Sequence, residues 1–172
     1  DVWGVHHAAH ARPARAEDVL LLSVGDPDLS TPDDISHELV SAIRAGRTHY
    51  SPAAGELELR QTIAQLETQI TGRTFDADQV VILAGATGVV YATLASILNP
   101  GDGVVTTAPK YIRYEGMYCA LDAKVTTVPL DLDRDCQLSV TEVMAAVDDR
   151  TKVVMVNTPG NPLGNVIPPD VL

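Results

Sequence analysis

The chain has 172 residues, 45% of them hydrophobic and 20% charged, which suits one well-buried domain and leaves little room for two. With 23 acids against 12 bases the formal net charge is -11, so the clustered basic charge that a nucleic-acid or anionic-membrane partner requires is missing. No apolar run approaches the roughly 20 residues of a membrane-spanning helix, and the first residues, DVWGVHHAAHARPARAEDV, do not follow the basic-then-apolar order of a secretion signal. Cys119 and Cys136 form neither a CxxC pair nor a metal-type spacing, and read as reduced thiols of a cytoplasmic protein.

In chain order, an irregular His- and Ala-rich arm leads into VLLLSV (19–24), a short apolar run that reads as a strand stopped at Gly25. The cluster GDPDLSTPDD then reads as a turn. Thr31 is the expected N-cap and Pro32 the first residue of a helix carrying Ile35, Leu39, Val40 and Ile43 at helical spacing, closed at Gly46. HYSPAAG (49–55) is a second turn cluster. Leu57, Leu59, Ile63, Leu66 and Ile70 mark a second amphipathic helix, ended by Gly72.

From Gln79 the texture alternates. VVIL (80–83), GVVTT (103–107), KVTTVPL (124–130) and KVVMVN (152–157) read as strands. VVYATLASIL, KYIRYEGMYCAL and SVTEVMAAV read as helices, the last with Ser139 and Glu142 spaced as a capping box. Strands alternating with helices predict an α/β fold with a largely parallel sheet and crossover helices.

In such sheets ligands collect on the loops at the C-terminal strand ends. Three of these loops carry suggestive chemistry. Gly85-Ala86-Thr87-Gly88 places flexible backbone and free N–H groups at a helix start, where an anion is favoured; a tight turn with no ligand explains it equally well. It matches neither the dinucleotide fingerprint nor the P-loop. In APKYIRYE (108–115), Tyr111 offers a ring to stack on a flat heterocycle, or else caps the core with its hydroxyl in water, the commoner arrangement. In NTPGNPLG (157–164), prolines stiffen the backbone around Asn161, whose amide both donates and accepts; cis geometry at an X-Pro bond is expected there.

These loops, in this order, resemble those of fold-type-I pyridoxal-phosphate enzymes, specifically the class I/II aminotransferases. VLLLSVGDPDLSTPDDI, THYSPAAGELELRQTIA, AGATGVVYATLASILNPGD, APKYIRYEGM and NTPGNPLGNV are similar to five successive blocks of that family, over the full length of the chain. The resemblance implies that the backbone of Gly85, Ala86 and Thr87 holds the phosphate of pyridoxal 5'-phosphate. It implies that Tyr111 stacks on the pyridine ring, that Asn161 hydrogen-bonds the ring's phenolic oxygen, and that Gly25 helps bind the substrate carboxylate. It further implies that Tyr50 reaches the phosphate site of a neighbouring subunit, so the active form is a homodimer. The Trp3-x-x-His6 arm resembles that of bacterial arginine–pyruvate aminotransferases, with Trp3 either lining the substrate entrance or packing on the dimer partner. On this reading residues 1–47 are an arm and small-domain segment, and 48–172 the first part of the cofactor-binding large domain.

Some positions depart from the family pattern. Leu163 replaces a hydroxyl residue, Gly160 stands where Asn or His is common, Gly88 stands where Gln is frequent, and Ile112 replaces the usual proline. The family's covalent lysine, its pyridine-nitrogen acid and its substrate-carboxylate arginine lie beyond the NP-x-G motif. None of Lys110, Lys124 and Lys152 has the right context, so the resemblance implies a chain cut before its catalytic lysine, with no catalytic residue of its own. The implied activity of the intact protein is amino-group transfer between an L-amino acid and a 2-oxo acid. Two rivals share the fold: a pyridoxal-phosphate lyase, and a non-catalytic module that keeps the cofactor cradle.

Overall fold

The computed structural model describes residues 3–11 and 22–172. Contacts divide the chain into two compact units, one reaching to Ala53 and the other running from Ala54 to Leu172.

The first unit is helical where it is regular. The arm, expected to be irregular, forms α1 (Gly4–His10). Its His6 and His10 lie one helical turn apart with ring centroids 4.4 Å from each other, and the His6 edge meets Trp3 at 5.5 Å. Ring contacts along one face give this seven-residue helix a stabilisation that sequence periodicity does not register. Of the strand expected at 19–24, residues 19–21 lie outside the described residues and 22–24 are not in a strand. The next helix, α2 (Asp33–Arg44), is capped by Pro32 rather than Thr31, without a side-chain cap bond. Proline has no N–H to satisfy and its fixed φ suits a helix start, so the boundary moves by one residue. Asp33 and Asp34 complement the dipole, and Gly46 follows the helix with φ +77°.

The second unit opens with α3 (Leu57–Thr71), stopped by Gly72 in the left-handed conformation. A 3-10 turn at Ala77–Gln79 follows, closed by a reciprocal capping box between Asp76 and Gln79 that the sequence reading did not identify. Arg60 ties α3 to this turn, donating to the carbonyls of Ala77 (2.8 Å) and Gly55 (3.2 Å). The expected strand at 80–83 is not one. A strand exists only through its ladder, and here the Ile82 N–H donates to the Ala54 carbonyl (3.0 Å) with no paired strand alongside among the described residues.

The sheet comprises β1 (Gly103–Ala108), β2 (Lys124–Pro129) and β3 (Thr151–Met155), all parallel, in the order β2-β1-β3. Three helices cover it: α4 (Gly85–Ile97), α5 (Arg113–Ala120) and α6 (Val140–Ala146). Alternate residues of β1 face opposite layers. Val104 packs with Leu94 and Leu98 and with Met117 and Tyr118 of α5, while Val105 packs with Val128 and Val143 of α6. This division follows from topology. The chain moves from β1 to one neighbour through α5 and then back across β1 to the other through α6. If both crossovers are right-handed, the two helices must lie on opposite faces.

Two sequence details fix these elements. Gly103 admits β3 at close range, since a Cβ there would lie 3.0 Å from the Cα of Thr151. Ser139 caps α6 by accepting from the Glu142 N–H at 3.3 Å.

Candidate functional site

Parallel strands deliver their C-terminal ends, and the loops that follow, to one edge of the sheet. A cleft opens there between the ends of β1 and β3, lined by Thr106, Thr107, Lys110, Tyr114, Asn157 and Asn161 among others. Of the residues expected to form a site, Asn161 is in this cleft. Tyr111 and Gly85–Thr87 do not line it.

Asn161 sits in the loop after β3, which ends at Met155, two residues before the expected limit. The peptide bonds Thr158–Pro159 and Asn161–Pro162 are both cis, as is Ala108–Pro109 after β1. The loop is stitched to itself. The Asn161 N–H donates to Asn157 Oδ1 (3.1 Å), the Gly160 N–H to the Asn165 carbonyl (2.8 Å), and the Gly164 N–H to the Gly160 carbonyl (2.6 Å). Its far end is pinned by the Ile167 N–H donating to Thr158 Oγ1 (2.9 Å), with the Ile167 side chain buried. Asn157 and Asn165 escaped the sequence reading because an asparagine in a turn-rich segment looks like any other turn residue.

Tyr111 lies in the lead-in to α5, half-buried, with its ring edge-on to Tyr114 at 5.4 Å. Tyr114 faces the cleft and contacts Tyr118 in turn, at 6.5 Å. Burial raises the Tyr114 hydroxyl above its ordinary pKa, reinforced by its neighbour Tyr111. Burial also raises Tyr118, against the lowering effect of a hydrogen bond with Thr106. The three rings thus form a row from the buried face of α5 to the site edge.

Lys110 is the cation of the cleft. Its ammonium pairs with Glu115 (2.6 Å) and reaches Thr127 Oγ1 (3.5 Å), with its side chain only 12% exposed. Lys124 pairs with Asp122 at the edge of the sheet, and Lys152 is exposed on β3.

Gly85, Ala86 and Thr87, expected as a loop, form the first turn of α4. All three are exposed, and Gly85 has φ +72°. Ala84, at the N-cap, provides no side-chain acceptor, and the first turn contains no acid. Its leading N–H groups, together with the helix dipole, therefore suit an anion. In the first unit, Gly25 and Tyr50 are exposed, the Tyr50 ring fully so, and Trp3 lies against His6.

Among the described residues no group of three or more His, Cys, Asp or Glu is placed to hold a metal ion, and no helix is long and apolar enough to cross a membrane. Both cysteines are free thiols.

The sequence profile of aminotransferase class I and II matches residues 17–172. The arginine–pyruvate transaminase of Pseudomonas aeruginosa is 40% identical over 166 residues, covering 96% of this chain and 42% of its own length. A probable aspartate/prephenate aminotransferase of Aquifex aeolicus is 34% identical, covering 92% and 41%. Among solved structures, a Thermus thermophilus aspartate aminotransferase mutant complexed with tryptophan superposes with a TM-score of 0.93 at 28% identity, over 99% of this chain and 44% of that one. The chain spans about two-fifths of the length of the curated relatives it matches. From its profile match and its α/β fold, the chain belongs to the class I and II aminotransferase family.

Proposed function

We propose that the whole protein transfers an amino group between an L-amino acid and a 2-oxo acid, using pyridoxal 5'-phosphate. The observation that carries this reading is the Asn161 loop, held by its own hydrogen bonds at the C-terminal edge of a parallel sheet in a chain of this family.

The residues present fit the cofactor. The first turn of α4 combines exposed N–H groups, no competing acid and open space around Gly85, as a phosphate requires. The Asn161 backbone N–H is spent on Asn157, while its exposed side-chain amide remains to donate to a phenolic oxygen. Tyr111 presents an aromatic face at the start of α5 to hold a ring by stacking. When bound, the cofactor supplies an electron sink for cleavage of bonds at the substrate α-carbon. This chain's residues grip and orient: Gly85 to Thr87 the phosphate, Tyr111 one ring face, and Asn161 the ring oxygen.

Tyr50 is assigned to the phosphate of a neighbouring subunit in a homodimer, an assignment supported by its fully exposed ring. A cytoplasmic location accords with free Cys119 and Cys136. The test is an amino-transfer assay on the whole protein with a panel of L-amino acids and pyruvate. Product 2-oxo acid should form only when both the cofactor and an amino acceptor are present. Product without an acceptor would indicate elimination, and cofactor binding without product would indicate a silent module.

A further inference from the structure

Gly160 and Asn165 occupy a shared space. A Cβ on Gly160 would overlap Oδ1 of Asn165, with Cγ of Asn165 at 3.3 Å. Gly160 does not have a positive φ, so its backbone would accept a side chain; only the Asn165 amide stands in the way. The other end of that amide leaves the loop altogether. Asn165 Nδ2 donates to the carbonyl of Cys136 at 2.9 Å, a partly buried bond to a residue 29 positions earlier. Cys136 belongs to the connection between β2 and α6, where Asp135 and Cys136 both adopt positive φ (55° and 56°) and Asp131 bridges Gln137. These left-handed residues turn the Cys136 carbonyl toward the loop. Asn165 lines the same cleft as Gly160 and Asn161, and its backbone carbonyl also receives the Gly160 N–H.

From this arrangement we infer that Asn165 is a positioning residue for Asn161: its amide fills the space left by the absent Gly160 side chain and ties the Asn161 loop to the turn at Cys136. The inference rests on the reading of Asn161 as the ligand of the cofactor's ring oxygen. Asn165 acts through the loop and touches no reacting atom. Gly160 and Asn165 are therefore a matched pair, in which the small residue at one position is the condition for the amide at the other.

The test uses the whole protein loaded with pyridoxal 5'-phosphate and reads three quantities: cofactor retention on dialysis, the pH midpoint of the bound cofactor's visible absorbance, and Tm. Asn161→Ala should shift the midpoint. Asn165→Ala should shift it in the same direction by a smaller amount and weaken retention about five-fold, the worth of one hydrogen bond. Gly160→Ala should impair both readouts. The Gly160→Ala/Asn165→Ala double variant should be no worse than Asn165→Ala alone, because the added methyl enters vacated space. A shift in Asn161→Ala with none in Asn165→Ala overturns the inference and leaves the reading of Asn161 standing. So does an Asn165→Ala variant that lowers Tm alone. No shift in Asn161→Ala overturns that reading and the inference with it. Gly160→Ala losses that persist in full in the double variant would overturn the shared-space account.

Discussion

Among the described residues Tyr118 is the largest fully buried side chain, 1% exposed, and it joins the core to the edge of the site. Its ring packs with Leu94, Leu98, Val104 and Met117, and its hydroxyl donates to Met155 Sδ at 3.1 Å and is hydrogen-bonded with Thr106. Thr106 is itself 3% exposed, so losing that partner leaves a buried hydroxyl short of a bond. Tyr118→Phe keeps the ring and removes the hydroxyl. It should cost about 1–2 kcal/mol, the worth of a buried hydrogen bond plus part of the Thr106 desolvation, since thioether sulfur is a weak acceptor. Tyr118→Ala removes the ring as well and should cost about 3–5 kcal/mol, as aromatic truncations in packed cores do. Urea unfolding followed by far-UV circular dichroism separates the two, provided the slope with denaturant stays constant. Equal losses in both variants would mean that the hydroxyl, not the packing, holds α5. A loss below about 1 kcal/mol in Tyr118→Ala would refute the placement of this ring in the core.

The same residue sets an alkaline limit. Its pKa is raised in the folded state, so its contribution is fully present below the ordinary value of 10.0 and is lost as pH rises through the folded value. Stability should therefore fall above about pH 10, less steeply in Tyr118→Phe, as thermal melts across that range would record. Gly103→Ala should destabilise by about 1–3 kcal/mol through overpacking, because the added methyl meets the β3 backbone at 3.0 Å; a neutral result in denaturant melts would contradict the β1–β3 register. Tyr111→Ala should weaken pyridoxal-phosphate retention by the whole protein roughly ten-fold, for lack of a stacking face, with Tm little changed. Gly85→Ala should cost about 1–2 kcal/mol from its φ of +72° alone, and it should weaken phosphate-dependent retention as well; a stability loss with unchanged retention would detach Gly85 from the phosphate site.

The run at 103–107 was legible because a buried central strand of a parallel sheet must be apolar on both faces, and the Val104/Val105 division bears this out. The run at 124–130 was legible from its Val and Thr content, although β2 is an edge strand exposed at most of its positions. The equally β-branched run at 80–83 misled for the complementary reason. Composition records a segment's preference for extended backbone, whereas strand identity depends on a partner ladder that local sequence does not encode. The site was legible in part. Asn161 was marked by the prolines and glycines around it, and the structure places it in the cleft. Asn157 and Asn165 act through backbone atoms of residues that sequence distance does not reveal, and Lys110 is drawn into the cleft wall by Glu115 one turn into α5. The ring contacts that order α1 and the proline cap of α2 depend on geometry that periodicity ignores.

Stability and the candidate site are not independent here. The helix that buries Tyr118 is preceded by Tyr111 and carries Tyr114 one turn before Tyr118, so a single rigid element links the core between the sheet and α4 to the cleft edge. A helix fixed at one buried residue transmits displacement to its N-terminus, because the intervening turns are stiff. Tyr118→Ala should therefore loosen cofactor retention as well as lower stability. Tyr118→Phe, which keeps the ring in place, should lower stability while leaving retention near the parent value. If retention follows stability in both variants alike, the loss reflects general unfolding, and α5 does not act as the lever that aims the aromatic row.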